Sequence, residues 1–312
     1  MTDRYPSPRA LLEKHGLRAK KSWGQNFLGD EAILDDIARL AAPREGELVV
    51  ELGAGLGHLT ARLLARGARV IAVERDRDMA RVLRGELGER IVLLEADAAR
   101  LDYGRIAAEE AARAAVPASA DAVTPTAAPP ERGAAAEAAG RSRGAPLPKL
   151  AVVGNLPYHL TSPILFSLLD QAEHVSRAVF LLQREVAERL AAQPGTSAWG
   201  ILSVLLQREA DVSIERIVPP GAFLPPPKVD SAVLCALFRP PADRVADPVR
   251  FRRLVKAGFA QRRKTLANAL GAARLAGGDA LSAALAAAGV DPRRRGETLT
   301  VAEWAALDRA LG

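Results

Sequence analysis

The apolar positions of the chain predict an α/β fold. Continuous apolar runs of strand length recur at residues 48–51, 70–74, 91–95, 150–155 and 178–183. Helical patterns separate these runs, at residues 59–65, 79–87 and 163–169. Because the runs are apolar throughout rather than alternating, we predict a parallel, doubly covered sheet of the Rossmann-like kind.

The pattern changes towards the C-terminus. Residues 212–218 and 231–238 are two more strand-like runs, and the proline-rich segment between them excludes a crossover helix. Only helical patterns follow, including a single apolar face within residues 251–259. We therefore predict a large α/β domain over residues 1–240 and a small all-helical domain over residues 241–312.

One segment interrupts the alternation of strands and helices. Residues 105–148 contain 17 alanines and six prolines among 44 positions and no aromatic residue. Residues 105–115 are compatible with a helix, but the remainder has too few large apolar side chains to offset the entropy of ordering the chain. We predict that residues 105–148 form an inserted, largely disordered linker without a catalytic role.

Composition excludes several classes of protein. The 312 residues include one cysteine, Cys235, and four histidines without metal-ligand spacing, so we expect neither a disulfide framework nor a metal site. No apolar run approaches the ~18 residues of a membrane helix, and the N-terminus lacks a signal-peptide core. We expect a cytoplasmic protein without a membrane partner.

The charge is distributed unevenly. The net charge is only +6, yet residues 249–274 carry eight basic residues and no acidic one. Residues 1–28 carry six basic residues against two acidic ones. Two basic regions on a nearly neutral body are typical of a protein that binds nucleic acid, although a solvated helix face would explain the same charges.

A glycine-rich turn follows the first strand of the sheet. Gly53 and Gly55 allow a tight turn and the close approach of a ligand to the backbone. Glu74 ends the next strand, where a carboxylate can accept both hydroxyls of a ribose, and Asp97 follows the third strand, where it could accept an adenine amine. A dinucleotide fingerprint requires a glycine where this chain has His58. The pattern therefore favours S-adenosyl-L-methionine over NAD.

The fourth strand ends in Asn155-Leu156-Pro157-Tyr158. A purine's exocyclic amine is a poor nucleophile because its lone pair is delocalised into the ring. The Asn155 side-chain oxygen and the Leu156 carbonyl could accept its N–H bonds and localise that lone pair, while Pro157 stiffens the turn and Tyr158 stacks the base. A sulfonium methyl donor needs positioning and electrostatics rather than a strong base. Ordinary turn chemistry is the alternative explanation of this sequence.

Five stretches resemble the small-subunit (16S) rRNA adenine-N6,N6-dimethyltransferases, relatives of the erythromycin-resistance methylases and of mitochondrial transcription factor B. They are residues 21–28 (KSWGQNFL), 51–57 (ELGAGLG), 155–158 (NLPY), 223–231 (FLPPPKVDS) and 261–266 (QRRKTL). The resemblance implies a Rossmann-like class I methyltransferase domain, S-adenosyl-L-methionine as cofactor, and a helical RNA-binding domain. The implied substrate is two adjacent adenosines in a hairpin loop near the 3′ end of 16S rRNA within the small ribosomal subunit, each methylated twice. We expect the enzyme to be a monomer.

The resemblance also implies roles for single residues. It places cofactor contacts at Asn26, Leu28, Gly53, Gly55, Glu74, Asp97 and Asn155. It implies that Phe223 and Tyr158 enclose a flipped adenine between their rings, whereas a core position is the alternative for Phe223. Ribosomal RNA binding is assigned to Arg262, Arg263, Lys264 and Lys228.

Two other functions share parts of this pattern. A 23S rRNA adenine-N6 methyltransferase of the erythromycin-resistance type would use the same chemistry, but residues 261–266 and the opening at Lys21 argue against it. A non-catalytic ribosome-assembly or transcription factor would not need an intact Asn155–Tyr158 turn. The segment 105–148 departs from the family, in which this connection is much shorter, and its role is left open, as is the extent of methylation.

Overall fold

An α/β domain is followed by a group of helices in the computed structural model, which describes residues 5–20, 23–115, 147–245 and 247–312. The strands are β1 (Phe27–Leu28), β2 (Leu48–Leu52), β3 (Arg69–Val73), β4 (Ile91–Leu94), β5 (Leu150–Asn155), β6 (Val175–Gln183), β7 (Ala210–Val218), β8 (Phe223–Leu224) and β9 (Ser231–Phe238). The helices of the α/β domain are α1 (Pro8–Lys14), α2 (Glu31–Ala41), α3 (His58–Ala65), α4 (Arg77–Leu87), α5 (Tyr103–Ala115), α6 (Thr161–Leu169), α7 (Arg184–Leu190) and α8 (Ile201–Glu209). The helices that follow are α9 (Pro248–Phe259), α10 (Leu266–Ala272), α11 (Gly278–Ala287) and α12 (Val301–Ala310).

Seven of these strands form one mixed sheet in the order β4-β3-β2-β5-β6-β9-β7. Strands β2 to β6 are parallel, and Val50 of β2 pairs with Ile71 of β3 and with Val152 of β5. Strand β9 lies antiparallel between β6 and β7, as the short proline-rich connection from β7 to β9 requires. The predicted Rossmann-like α/β fold is confirmed.

Burial on both faces explains why the strands lack polar alternation. Successive residues of a strand point to opposite faces of a sheet. Val49 and Val153 belong to a core with α2, α3 and α4 on one face, whereas Val50 and Val152 belong to a second core with α5, α6 and α7 on the other. Each strand position therefore needs an apolar side chain.

The last four helices share a hydrophobic core with α8. Trp199, Val204 and Leu205 precede residue 240, yet they pack with Phe251 of α9 and Trp304 of α12. The core of the helical region thus extends into the preceding domain. The division at residue 240 stays a prediction.

Helix α5 includes the part of the predicted insertion that was compatible with a helix. Residues 105–115, assigned to the linker, continue a helix from Tyr103 because Ile106 and Ala107 pack into the core under the sheet. Residues 116–146, to which most of the predicted disorder applies, lie outside the described residues. In the rest of the chain no helix combines the length and apolar character needed to cross a bilayer.

Candidate active site

Two adjoining cavities open at the carboxyl ends of parallel strands β2, β3 and β5. The first cavity has a volume of about 920 Å³ and the second of about 690 Å³, both including the space open to solvent. Both are lined by Trp23, Gly53, Glu74, Leu156 and Pro157, which therefore stand where the cavities meet. The carboxyl edge is where open α/β sheets bind their ligands.

The glycine turn forms the floor of the first cavity. Gly53 and Gly55 have φ of 70° and 57°, in the left-handed region that favours glycine. A Cβ on Gly55 would lie 3.3 Å from the ring of Phe27. The backbone N–H groups of Gly53 and Ala54 both donate to the Val73 carbonyl, at 2.8 and 3.2 Å. The turn is thereby held against β3, with its backbone open to a ligand.

Glu74 stands where the two cavities meet. One carboxylate oxygen accepts the N–H of Gly55 at 2.8 Å, and the other accepts the N–H of Asp76 at 2.8 Å. Burial raises the pKa of the Glu74 carboxyl, and these two N–H groups oppose that rise. Each carboxylate oxygen retains a further lone pair for a ribose hydroxyl.

Asp97 lies in the wall of the second cavity. Its carboxylate accepts the N–H of Ala99 at 3.0 Å and lies 3.3 Å from the Arg75 guanidinium. The cavity wall beside it includes the apolar side chains of Leu160 and Ile164. One polar acceptor beside apolar walls suits a purine base with an exocyclic amine.

A hydrogen bond determines the orientation of the Asn155 amide. Its Nδ2 donates to the main-chain carbonyl of Asn26 at 2.8 Å. Because a carbonyl can only accept, the amide nitrogen must face Asn26, and the amide oxygen remains free for another donor. The Leu156 N–H is bound to the Leu181 carbonyl at 3.2 Å, and within the described residues nothing donates to the Leu156 carbonyl. Both residues line the first cavity, which therefore contains the two predicted acceptors.

The two predicted stacking residues lie in different surroundings. Tyr158 lines the first cavity, and its hydroxyl is 3.1 Å from Ser231 Oγ. Phe223 is only 6% exposed and lines neither cavity. It belongs to β8, where it pairs with Leu28 of β1. The structure thus places Phe223 in the core, and its stacking on adenine stays a prediction.

Six of the residues predicted to bind the cofactor lie together in the structure. Asn26, Leu28, Gly53, Gly55, Glu74 and Asn155 all line the first cavity. Residues 21–22 of the resembling stretch lie outside the described residues. Sequence reasoning missed Asp76, whose carboxylate accepts Lys20 Nζ at 2.8 Å and Gln25 Nε2 at 2.8 Å. This carboxylate links Lys20 and Gln25, which directly precedes Asn26, to the loop that follows β3.

Glu51, in the wall of the first cavity, was also missed as a functional residue. It is 2% exposed and accepts a hydrogen bond from Thr60 Oγ1 at 2.6 Å. Burial, together with the nearby charge of Glu74, raises the pKa of the Glu51 carboxyl to about 8. The sequence could have indicated this residue, because a glutamate at the end of a strand buried on both faces requires a hydrogen-bonding partner.

The predicted RNA-binding residues are all exposed. Arg262, Arg263 and Lys264 lie on the turn between α9 and α10, outside both helices. Arg262 donates to the Ser197 carbonyl at 2.8 Å, so part of its donor capacity is used. Lys228 lies in the loop between β8 and β9. In the described part of the chain, no group of three or more histidine, cysteine or acidic side chains could hold a metal ion.

Comparisons with known proteins agree on one family. Residues 16–309 match the family described as ribosomal RNA adenine dimethylase. A protein of Anaeromyxobacter sp. (strain K), named ribosomal RNA small subunit methyltransferase A, is 75% identical over 312 residues, which cover 100% of both chains. A protein of the same name from Myxococcus xanthus is 50% identical, over 98% of this chain and 95% of its own.

Two solved structures share the fold. The crystal structure of the 23S rRNA methyltransferase ErmE has a TM-score of 0.61 and 26% identity, covering 92% of this chain and 99% of its own. A dimethyladenosine transferase from Plasmodium falciparum has a TM-score of 0.65 and 21% identity, covering 90% and 95%. The second likeness concerns the fold alone.

Proposed function

The chain belongs to the ribosomal RNA adenine dimethylase family, and from that premise we propose how its two cavities divide the reaction. The protein is a methyltransferase that dimethylates adenosines of small-subunit rRNA. We place the target at two adjacent adenosines in a hairpin loop near the 3′ end of 16S rRNA. The observation that carries the mechanism is the hydrogen bond from Asn155 Nδ2 to the Asn26 carbonyl.

The residues at the strand ends fit S-adenosyl-L-methionine. When bound, this cofactor supplies a methyl group already activated on a sulfonium. Asp97 would accept the adenine amine in the second cavity, and Glu74 would accept the ribose hydroxyls where the cavities meet. The rest of the cofactor would lie beside Asn155 in the first cavity. The walls there are formed by the backbone of Gly53 and Gly55 and by Asn26 and Leu28. A single continuous site thus joins the methyl donor to the two acceptors.

The acceptors make the target amine nucleophilic. The Asn155 side-chain oxygen and the Leu156 carbonyl each accept one N–H of the adenine amine, which keeps the nitrogen lone pair out of the ring. The nitrogen would form a bond to the methyl carbon as the carbon–sulfur bond of the donor breaks and leaves a neutral thioether, and the amine would release one proton to solvent. The monomethylated amine retains one N–H, so one acceptor is enough for the second transfer. Pro157 holds the turn, and Tyr158 stacks the flipped base.

Exposed cations outside the cavities bind the rRNA backbone. Four exposed residues provide this positive charge: Arg262, Arg263 and Lys264 on the α9–α10 turn and Lys228 on the β8–β9 loop. Because they are exposed, they attract phosphate groups without fixing the position of atoms in the site. Stacking by Phe223 as well would require the β1–β8 pair to move, because Phe223 is buried in it. We propose that the enzyme acts as a monomer in the cytoplasm.

The proposal is tested by mapping modified nucleotides. Labelled S-adenosylmethionine is incubated with unmethylated small subunits or with naked 23S rRNA, and the labelled positions are located. We expect N6,N6-dimethyladenosine at two adjacent positions of 16S rRNA. Label confined to 23S rRNA would instead support the erythromycin-resistance type, and a folded enzyme that binds cofactor without turnover would support a purely binding role.

A matched pair of variants tests the mechanism. Asn155→Ala removes the acceptor, and Asn268→Ala removes an exposed asparagine of α10 as a control. We expect the first to lose methylation and the second to keep it. Full turnover by Asn155→Ala would exclude the assigned role of this amide.

A further inference from the structure

Trp23 is unlike the other tryptophans of the chain. Trp199 and Trp304 are completely buried, whereas Trp23 is 38% exposed. Trp23 also lines both cavities, at the point where they meet. A large apolar ring that reaches solvent beside a reaction site has surface available for a ligand.

Two cations hold the Trp23 indole in position. Arg75 Cζ lies 5.0 Å and Lys20 Nζ lies 5.5 Å from the ring centroid. Both cations are themselves anchored, because Lys20 is bound by Asp76 and Arg75 lies 3.3 Å from Asp97. The ring is therefore oriented by charges rather than by burial in a core.

The other aromatic walls of the first cavity are less available. Phe27 is 8% exposed, and the Tyr158 hydroxyl is tied to Ser231. Tyr158 is already assigned to the target base. A second base that remains outside the first cavity would meet the exposed part of the Trp23 ring, beside the point where the two cavities meet.

The substrate supplies such a base. When one of two adjacent adenosines leaves the stack and enters the site, its neighbour loses a stacking partner, which costs free energy. We propose that the Trp23 indole stacks on the base next to the target adenosine and so makes recognition depend on a purine at that position. This inference rests on the proposed function.

Two variants and two substrates test the stacking. Trp23→Ala and Trp23→Phe are compared with the unchanged enzyme on small subunits with two adjacent adenosines and on subunits with a pyrimidine in place of one. On the first substrate we expect Trp23→Ala to lower kcat/KM about 5- to 150-fold, the fold-change equivalent of ~1–3 kcal/mol of stacking. Trp23→Phe should keep most of the kcat/KM of the unchanged enzyme on this substrate. On the pyrimidine substrate the unchanged enzyme should already be slow, and Trp23→Ala should add less than twofold.

Cofactor binding and fluorescence separate this role from others. Because Trp23 lines both cavities assigned to the cofactor, cofactor affinity is measured by calorimetry and kcat/KM is compared at saturating cofactor. We expect binding of small-subunit rRNA to protect indole fluorescence from acrylamide in the unchanged enzyme but not in Trp23→Phe. An equal loss of kcat/KM on both substrates would overturn the inference while leaving the proposed function intact. An unchanged enzyme that does not methylate either subunit would overturn both.

Discussion

The carboxyl edge of the sheet and the turn between α9 and α10 both carry ionisable side chains, but in opposite surroundings. At the sheet edge, Glu51, Glu74 and Asp76 are at least 91% buried, and their oxygens accept hydrogen bonds. On the turn, Arg262, Arg263 and Lys264 are exposed. The first arrangement determines where atoms lie, and the second contributes long-range attraction.

Because of this difference, we expect the sheet edge to control cofactor affinity and turnover, and the basic turn to control the salt dependence of RNA binding. A buried carboxylate that loses a partner moves the backbone that it holds, so cofactor affinity and turnover should change. An exposed cation that is lost changes the attraction for phosphate and its dependence on salt, with little effect on geometry. The predictions below test this separation, from the largest expected effect to the smallest.

Asn155 should give the largest effect. Asn155→Asp replaces the Nδ2 donor by an oxygen that faces the Asn26 carbonyl, so the side chain must turn away from its present partner. We expect kcat to fall by about 10²- to 10³-fold in both Asn155→Asp and Asn155→Ala, comparable to the loss of one preorganised group in other enzymes. The rate of single-turnover methylation of small subunits measures this fall. Turnover by Asn155→Asp equal to that of the unchanged enzyme would show that the Asn26 contact does not orient the amide.

Glu74 should control cofactor affinity. Both of its oxygens accept a backbone N–H, so the amide of Glu74→Gln must place its own N–H₂ against one of these donors. We expect the cofactor Kd to rise about 10- to 100-fold, because charge-assisted hydrogen bonds are worth ~1.5–3 kcal/mol. Calorimetry measures this change.

A control for Glu74 exists one strand away. Glu95 directly follows β4, as Glu74 follows β3, but it is exposed, pairs with Arg84, and lines neither cavity. Glu95→Gln should leave the cofactor Kd unchanged. An equal effect of the two substitutions would mean that net charge, rather than the hydrogen-bonded carboxylate, attracts the cofactor.

Glu51 should make stability depend on pH. Its pKa is about 8 in the folded protein against 4.5 for an unperturbed glutamate, so between these values the folded chain holds a proton that the unfolded chain has released. Stability from this group is therefore lost as the pH rises through that window, by roughly 2 kcal/mol between pH 6 and pH 8. Chemical unfolding at both pH values should show this loss in the unchanged protein and not in Glu51→Gln. A pH dependence that survives the substitution would assign the proton to another group.

The basic turn should give the smallest effect at high salt, where its attraction for phosphate is screened. Replacing Arg262, Arg263 and Lys264 by glutamine should reduce the salt slope of RNA binding by ~0.7 per lost phosphate contact, or about 2 for three. Filter binding between 50 and 200 mM salt would detect roughly a tenfold change across that range. Cofactor affinity should not change. A salt slope equal to that of the unchanged protein would remove this turn from the RNA-binding surface.

Local patterns predicted the sheet and which residues follow its strands at the carboxyl edge. Strands β5 and β9 were predicted with the bounds that the structure has, and β6 was predicted to begin three residues late, at Ala178 rather than Val175. The Asn155–Tyr158 turn was found because it directly follows an apolar strand. Helices α1 and α2 and the β1–β8 pair were missed. The two strands of that pair are only two residues long and leave no periodic pattern, whereas the buried residues of α2 do recur at helical spacing.

Tertiary contacts decided the remaining features of the site. Asp76 and Lys20 are 56 positions apart, and Asn155 and Asn26 are 129 apart, so no local pattern indicates either hydrogen bond. The burial of Phe223 follows from its pairing with Leu28, which lies far earlier in the chain.

The order of apolar residues, glycines and strand-end side chains by itself determined the α/β fold and placed the glycine turn and the Asn155–Tyr158 turn at the carboxyl edge of the sheet, to which we assign the cofactor and the adenine amine. These features depend on neighbours within a few positions, through strand burial and backbone conformation. Only the folded chain decided which way the Asn155 amide faces, which carboxylates are buried, and which aromatic rings reach the cavities. Those properties depend on side chains brought together from distant segments, where packing and desolvation act on all of them at once.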